Sequence, residues 1–348
     1  MRGVSSGVCL MVVVSFGHLA CWATTSDDAS FTFTAVVHDV ASPITQTVDP
    51  DSFMDLFEGL TDGEVVFDLV PVGQYCRDSA DCLDRLKSGD IDLFRATVAD
   101  LAGLFPELQV LAIPYLVESA AVAELVYSGA FFARMRDALL ERTGLRLMAV
   151  SSVRGWRHIA NDVRVVRVPE DLEGMQIATL DVPVHFETTR AIGAEPSVMQ
   201  PSNTGHAQLA ESAGLRGSVT DLLALEDSAR PKFLTLDRHN YIVELWLMNE
   251  RSYRNMPLDL QQIVQLGFDE LRRLTLRFSD EAEDNALVAY RAAGGETYEV
   301  TQEQHRAFVM AAGRVSTWYM DEYGYDWFVW FEGAIAEAER ELFQARPE

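Results

Sequence analysis

The stretch DGEVVFDLVPVGQYCRDSADCLDRLKSGDIDLF, residues 62–94, decides the fold. Gly63 stops a preceding helix, and Val65 to Val70 is an apolar run of strand length. Ser79 to Leu86 then carries helical spacing up to Gly89, and Ile91 to Phe94 reads as another strand. Upstream, Phe31 to Val37 has strand character and Ser52 to Leu60 has helical character. Strand, helix, strand, helix, strand is the pattern of a parallel sheet covered by helices.

Further along, Pro106 and Pro114 bracket a connection that ends in the apolar run Leu111 to Val117. The period from Ala120 to Glu141 predicts one helix, closed by Thr143-Gly144. A second α/β unit begins near Val153, with Arg164 to Val168 extended, a turn at Pro169-Glu170-Asp171, a strand over Met175 to Leu180 and a helix over Val184 to Ala191. Tyr241 to Met248 is a late apolar run, and Leu258 to about Ala293 predicts a helix long enough to lie across two lobes. No repeat, low-complexity segment or Gly/Ser tether interrupts the chain. Ordered crossings between two lobes imply a hinge and a cleft, and such clefts favour small ligands.

The chain has 348 residues, 48% of them hydrophobic, enough for two separate cores. Met1-Arg2 precedes the apolar run Val8 to Phe16, which is too short to cross a bilayer and right for a signal peptide over residues 1–23. Two processing routes stay open: His18-Leu19-Ala20-Cys21 is a lipobox with the wrong residue three before the cysteine, and Cys21-Trp22-Ala23 permits ordinary cleavage. The expected product is exported, either soluble or tethered through Cys21. Cys9 and Cys21 lie in the leader, so Cys76 and Cys82 remain to form a disulfide in an oxidising compartment. The formal net charge is −25, and the 28 basic residues are scattered along the chain with no basic stripe, which argues against a nucleic-acid partner.

Catalytic constellations are hard to build. No two of the histidines, at positions 18, 38, 158, 185, 206, 239 and 305, stand four apart, so none forms a metal pair on a helix face. The GxSxG, Walker A, GxGxxG and HExxH patterns are all missing from the sequence. Each histidine is read as a surface or locally hydrogen-bonded group, and no cofactor or metal is expected. A hydrolase using cleft carboxylates such as Asp181 or Glu187 would need two of them about 5 to 9.5 Å apart.

Eight segments, in order, resemble the substrate-binding proteins of TRAP (tripartite, ATP-independent) transporters. They are Gly63-Glu64-Val65 to Pro71; Leu86 to Asp92; Phe105-Pro106-Glu107 through Ile113-Pro114-Tyr115-Leu116; Gly155-Trp156-Arg157 with Asn161; Pro169 to Ile177; Gly193-Ala194-Glu195-Pro196; Lys232-Phe233-Leu234 to His239; and Met256 to Gln261. The resemblance implies an α/β, two-lobed periplasmic-binding-protein fold. Each lobe is a mainly parallel sheet flanked by helices, with hinge strands and one long helix spanning both. Lobe I would comprise 31–153 plus 242–280, and lobe II 154–241 plus 281–340. It further implies a non-enzymatic receptor for a small organic solute, working with TRAP membrane permease subunits and admitting an accessory periplasmic protein.

Members of this family hold the solute's carboxylate with an arginine in a G-x-x-I-R segment, and this chain has Gly174-Met175-Gln176-Ile177-Ala178. Arginine suits the role because its planar fork makes two charge-assisted hydrogen bonds to one carboxylate. With Ala178 in that place, the expected ligand is apolar or amphipathic. By order in the chain, the expected lining is Thr97, Val98, Ala99, Tyr115, Trp156, Arg157, Ala178, Val182, Ser212 and Trp246. Arg157 matches a family arginine. Arg216 replaces an aspartate of a V-D-G segment and is expected to face solvent, the alternative being that Arg157 or Arg216 supplies the missing charge to an organic acid. The aromatic run Trp318-Tyr319, Tyr323 to Tyr325, Trp327-Phe328 and Trp330-Phe331 is read as packing for a terminal helix. An exposed face there would instead favour a scaffold protein acting through protein contacts.

Overall fold

The computed structural model describes residues 29–38, 50–152, 154–201, 207–208 and 212–345, so the leader and Cys21 lie outside the described residues. Thirteen strands follow in chain order: β1 Phe31–Val37, β2 Val65–Pro71, β3 Leu93–Thr97, β4 Leu145–Ser151, β5 Trp156–Asn161, β6 Gln176–Thr179, β7 Glu195–Val198, β8 Gln200–Pro201, β9 Ala207–Gln208, β10 Gly214–Gly217, β11 Phe233–Tyr241, β12 Glu244–Asn249 and β13 Glu296–Glu299. The helices are α1 Pro50–Leu60, α2 Ser79–Ser88, α3 Val98–Leu101, α4 Ala120–Val126, α5 Ala130–Thr143, α6 Pro183–Ala191, α7 Val219–Leu223, α8 Glu250–Asn255, α9 Leu258–Ala292, α10 Gln302–Ala312, α11 Arg314–Tyr323 and α12 Asp326–Gln344.

Two large sheets form, in the orders β2-β1-β3-β12-β4 and β13-β11-β5-β10-β6-β7, and β8 pairs with β9 in a separate two-stranded sheet. Both large sheets are mixed, and in the second three of the five neighbouring pairs are parallel. β1 runs parallel to β2 and β3, whereas β12 is antiparallel to β3 and β4. In the second sheet β5 is antiparallel to both β10 and β11. The reason is the connectivity: β4 leads into β5 and β11 into β12, so β5 and β12 each enter their sheet from the other lobe, against the local direction. The helix α9 is the third crossing, 35 residues or about 50 Å long. Its Leu260, Val264 and Phe268 pack with Phe57 and Phe67 in the first lobe, and its Ala286, Leu287 and Tyr290 pack with Leu215 and Leu222 in the second. Gly267 allows the first contact, since a Cβ there would lie 2.5 Å from the Phe57 ring.

Local chemistry explains the boundaries. Asp78 caps α2 by accepting from the Asp81 amide at 2.9 Å, and Gly89, at φ 87°, ends it. The single helix expected over Ala120 to Glu141 is broken in two. The Ser128 hydroxyl donates to the Glu124 carbonyl at 2.7 Å, and Gly129 passes so close to Leu125 that a Cβ would sit 3.1 Å from its carbonyl oxygen. Arg164 to Val168 forms no strand, because Asn161 Oδ1 accepts from the amides of Val163 and Arg164, both at 2.9 Å, and turns the chain.

The aromatic C-terminus is packing material. Tyr319, Trp327, Phe328 and Phe331 are buried, and Phe131 meets Phe331 at 4.9 Å and Phe105 meets Trp327 at 5.3 Å. These rings carry α12 onto α4, α5 and the 3-10 turn Pro106–Ala112 of the first lobe. The terminal segment therefore divides, with α10 and α11 against α6 and α12 back on the first lobe, where residues 281–340 had been expected in the second lobe. Cys76 and Cys82 form a disulfide with their Cα atoms 5.1 Å apart. Among the described residues no helix is long and apolar enough to cross a membrane.

Candidate functional site

The strands β11, β5 and β10 are neighbours, and the side chains that converge on them are polar and dry. Arg157 of β5 is 7% exposed and Arg216 of β10 is fully buried. The solvent-facing position expected for Arg216 is thus overturned, because β10 lies inside the sheet between β5 and β6. That central placement depends on Gly214, where a Cβ would lie 2.0 Å from the Ala160 carbonyl oxygen.

Three of Arg216's contacts hold its guanidinium. Nε donates to His239 Nε2 at 3.0 Å, and Nη1 donates to the His185 carbonyl at 2.7 Å and to Thr189 Oγ1 at 3.0 Å. Arg157 Nη1 donates to the Arg216 carbonyl at 3.1 Å. Arg157 Nε, Arg216 Nη2 and His185 Nδ1 are buried without a hydrogen-bond partner among the described residues. Nor does either guanidinium have a carboxylate within 4.0 Å among those residues. The arginine beside them differs, since Arg154 meets Asp221 at 3.0 Å and Glu244 at 3.5 Å.

A buried charge without a partner costs several kcal/mol, so the electrostatics register the imbalance. Burial, reinforced by the Arg157 charge, pulls Arg216 down to about 9, still cationic at pH 7. Burial also lowers Arg157, although Asp221 opposes it. His239 is held down at about 4 by burial, against the pull of Asp237, so it is neutral. Burial alone would raise Asp237, but its interactions with His239 and His158 hold it well below the usual carboxylate range. Two convergent, desolvated guanidinium groups with spare N–H bonds are chemically an anion site, and a carboxylate fits their planar geometry.

The remaining expected lining residues are dispersed. Tyr115 joins the cluster, its hydroxyl donating to Asp237 Oδ2 at 2.8 Å. Trp156 stacks edge-on against Tyr241 at 5.0 Å, and its amide donates to Glu283 Oε2 of α9 at 2.8 Å. Ala178 is packed among Leu215, Val219, Leu222 and Tyr290. Thr97 caps α3 in a reciprocal pair with Asp100, Val98 is buried and Ala99 is packed at the edge of the same core. Val182 is buried before α6, Ser212 shares a 2.6 Å hydrogen bond with Ser197, and Trp246 sits in the first-lobe core with Nε1 donating to Ser151 Oγ at 2.9 Å.

His158, His185 and His239, read from sequence as surface or local groups, are all buried here. Asp237 and Glu283 were not singled out either. Asp237 and His239 stand two apart in a strand, a spacing that puts both on one face, and that was the available signal. Nothing local marks Glu283, whose carboxylate reaches His158 Nε2 at 3.5 Å from a different element.

Two α/β lobes, two strand crossings, a helix spanning both and a buried polar cluster beside the crossings define a two-lobed solute receptor. Residues 35–321 match the DctP family, bacterial extracellular solute-binding protein family 7, and the chain belongs to it. It is accordingly a TRAP-type solute receptor and not an enzyme. The 2,3-diketo-L-gulonate-binding periplasmic protein of Escherichia coli is 25% identical over 284 residues, covering 79% of this chain and 83% of that one. The sugar acid binding protein of Advenella mimigardefordensis, solved with galactonate, superposes with a TM-score of 0.77 at 18% identity, covering 88% of this chain and 98% of that one. A TRAP solute-binding protein of Ralstonia eutropha, solved with (S)-2-acetolactate, gives 0.75 at 21% identity, covering 88% and 99%. At these identities the structural likeness speaks to the fold alone.

Proposed function

We propose that this receptor binds a small organic acid, holding its carboxylate with Arg157 of β5 and Arg216 of β10, and delivers it to a TRAP permease. The observation that carries the reading is that both guanidinium groups are buried, lack a carboxylate of the chain's own among the described residues and keep an unpartnered N–H. Such groups gain most from an anion supplied from outside. The names of the relatives agree in kind, since diketogulonate, galactonate and acetolactate are all acids. The apolar or amphipathic solute expected from Ala178 is given up: the lost arginine of β6 is compensated by Arg216 one strand away, since β6 and β10 are neighbours in the sheet.

Calorimetric titration tests this with D-glucuronate, galactonate and succinate, with the methyl ester of D-glucuronate, and with uncharged apolar solutes of similar size. The expected result is that at least one acid binds and that esterification weakens D-glucuronate binding on the order of 100-fold, as loss of a buried charged contact requires. Binding confined to the uncharged apolar solutes, or an ester as tight as its acid, would reject the proposal.

A further inference from the structure

Arg216 is held by a chain of groups that ends at Tyr115, and this chain has a definite proton arrangement. A guanidinium has no acceptor, so the 3.0 Å contact from Arg216 Nε makes His239 Nε2 the unprotonated nitrogen. Nδ1 therefore carries the hydrogen and donates to Asp237, whose two oxygens lie at 3.0 and 2.9 Å. The Tyr115 hydroxyl donates to the same carboxylate at 2.8 Å.

We propose that Asp237 and His239 are positioning residues that aim Arg216 at the solute's anionic group, with Tyr115 holding Asp237 in place. The proposal rests on the reading that Arg216 meets the carboxylate.

Three observations support it. First, Nε and Nη1 are both committed, which leaves Nη2 as the one guanidinium nitrogen without a partner. Second, the backbone is bent to make the relay. In a flat strand residues two apart are about 6.6 Å apart, but the β11 register against β5 shifts between Thr235 and Asn240, and Arg238 adopts φ 50°. Third, the residue that donates to Asp237 is strained as well: Tyr115 has φ 61°, and its amide donates to the His239 carbonyl at 2.8 Å. Two non-glycine residues in the left-handed region meeting at one contact mark a place where the surroundings impose geometry. Tyr115 packs against the apolar cluster that holds Ile159, Leu172 and Ile177, which fixes its hydroxyl on Asp237.

A neutral His239 is required, and its burial supplies it. The charged and titratable groups around it are Asp237 on its own strand, Arg216 on β10, Arg157 and, through Asp237, His158 on β5, His185 on α6 and Tyr115. Protonation would put a donor where Arg216 Nε now donates, with two cations in contact. Acid affinity should therefore be lost as the pH falls through the His239 transition.

The test compares His239→Leu, which cannot accept from Arg216, with His239→Gln, whose amide can accept from Arg216 and donate to Asp237. Binding of D-glucuronate, galactonate and succinate is titrated from pH 7.5 to about pH 3, a range that spans the His239 transition, with circular dichroism to check folding. His239→Leu should weaken binding on the order of 10 to 100-fold, the usual loss when a supporting hydrogen-bond partner is removed. His239→Gln should stay within about fivefold of wild type and lose the acid inflection. Tyr115→Phe, which keeps the ring, should weaken binding less than His239→Leu and keep the inflection. A folded His239→Leu protein with wild-type affinity, or an inflection unchanged in His239→Gln, overturns the relay. Should His239→Leu fail to fold, the Gln and Phe variants decide alone. If none of the acids binds the wild type, the fault lies with the functional reading; if acids bind and Arg216 matters but His239 does not, only the relay fails.

Discussion

Replacing Arg216 by methionine keeps most of the side-chain volume and removes the charge. Three acceptors lose their donor: His239 Nε2, the His185 carbonyl and Thr189 Oγ1. Each orphaned buried acceptor costs about 1–3 kcal/mol. Against this, a cation leaves a dry site that it shares with Arg157, whose charge now helps to depress its affinity for its proton, and removing an unpaired buried charge returns several kcal/mol. The two terms nearly cancel, so the unliganded variant should melt within about 5 °C of wild type. Binding has no such compensation. Losing one buried charged contact to the solute costs about 2–5 kcal/mol, so the acid's Kd should rise roughly 30- to 3,000-fold. Calorimetry reads the affinity and a thermal melt with and without the acid reads the same loss as missing ligand stabilisation. Adding Ala178→Arg to this variant should not restore binding, because position 178 packs among Leu215, Val219, Leu222 and Tyr290. Wild-type affinity in a folded Arg216→Met protein, or rescue by Ala178→Arg, would refute the argument.

Two further outcomes test the framework around the site. Gly214→Ala puts a methyl group 2.0 Å from the Ala160 carbonyl oxygen, so β10 must move off β5 and carry Arg216 with it; denaturant melts should show a loss of about 2–4 kcal/mol, together with weakened acid binding. Replacing Cys76 and Cys82 by serine opens a loop with a sequence separation of 6, so stability should fall by about 2 kcal/mol while affinity stays unchanged, since the bridge ties α2 to the turn before it and Arg157 and Arg216 lie on the other sheet.

By itself the sequence determined the elements whose signals are local. The strand Phe31–Val37 has the ends that its apolar run predicts, and α9 ends within one residue of its expected limit, because periodicity and capping act over a few residues. The ordered motifs carried the family, and one of them located Arg157. Tertiary structure decided the rest. Whether β5 and β12 run with or against their neighbours depends on where the chain crosses between lobes, which no short window contains. The burial of Arg216 depends on β10 lying between β5 and β6, and its orientation on His239 and on α6. The relay joins Tyr115 to Asp237, and the hinge joins Trp156 to Glu283, pairs separated by more than a hundred residues. A buried charge is defined by what surrounds it, and its surroundings come from strands that are adjacent in space and distant in the chain.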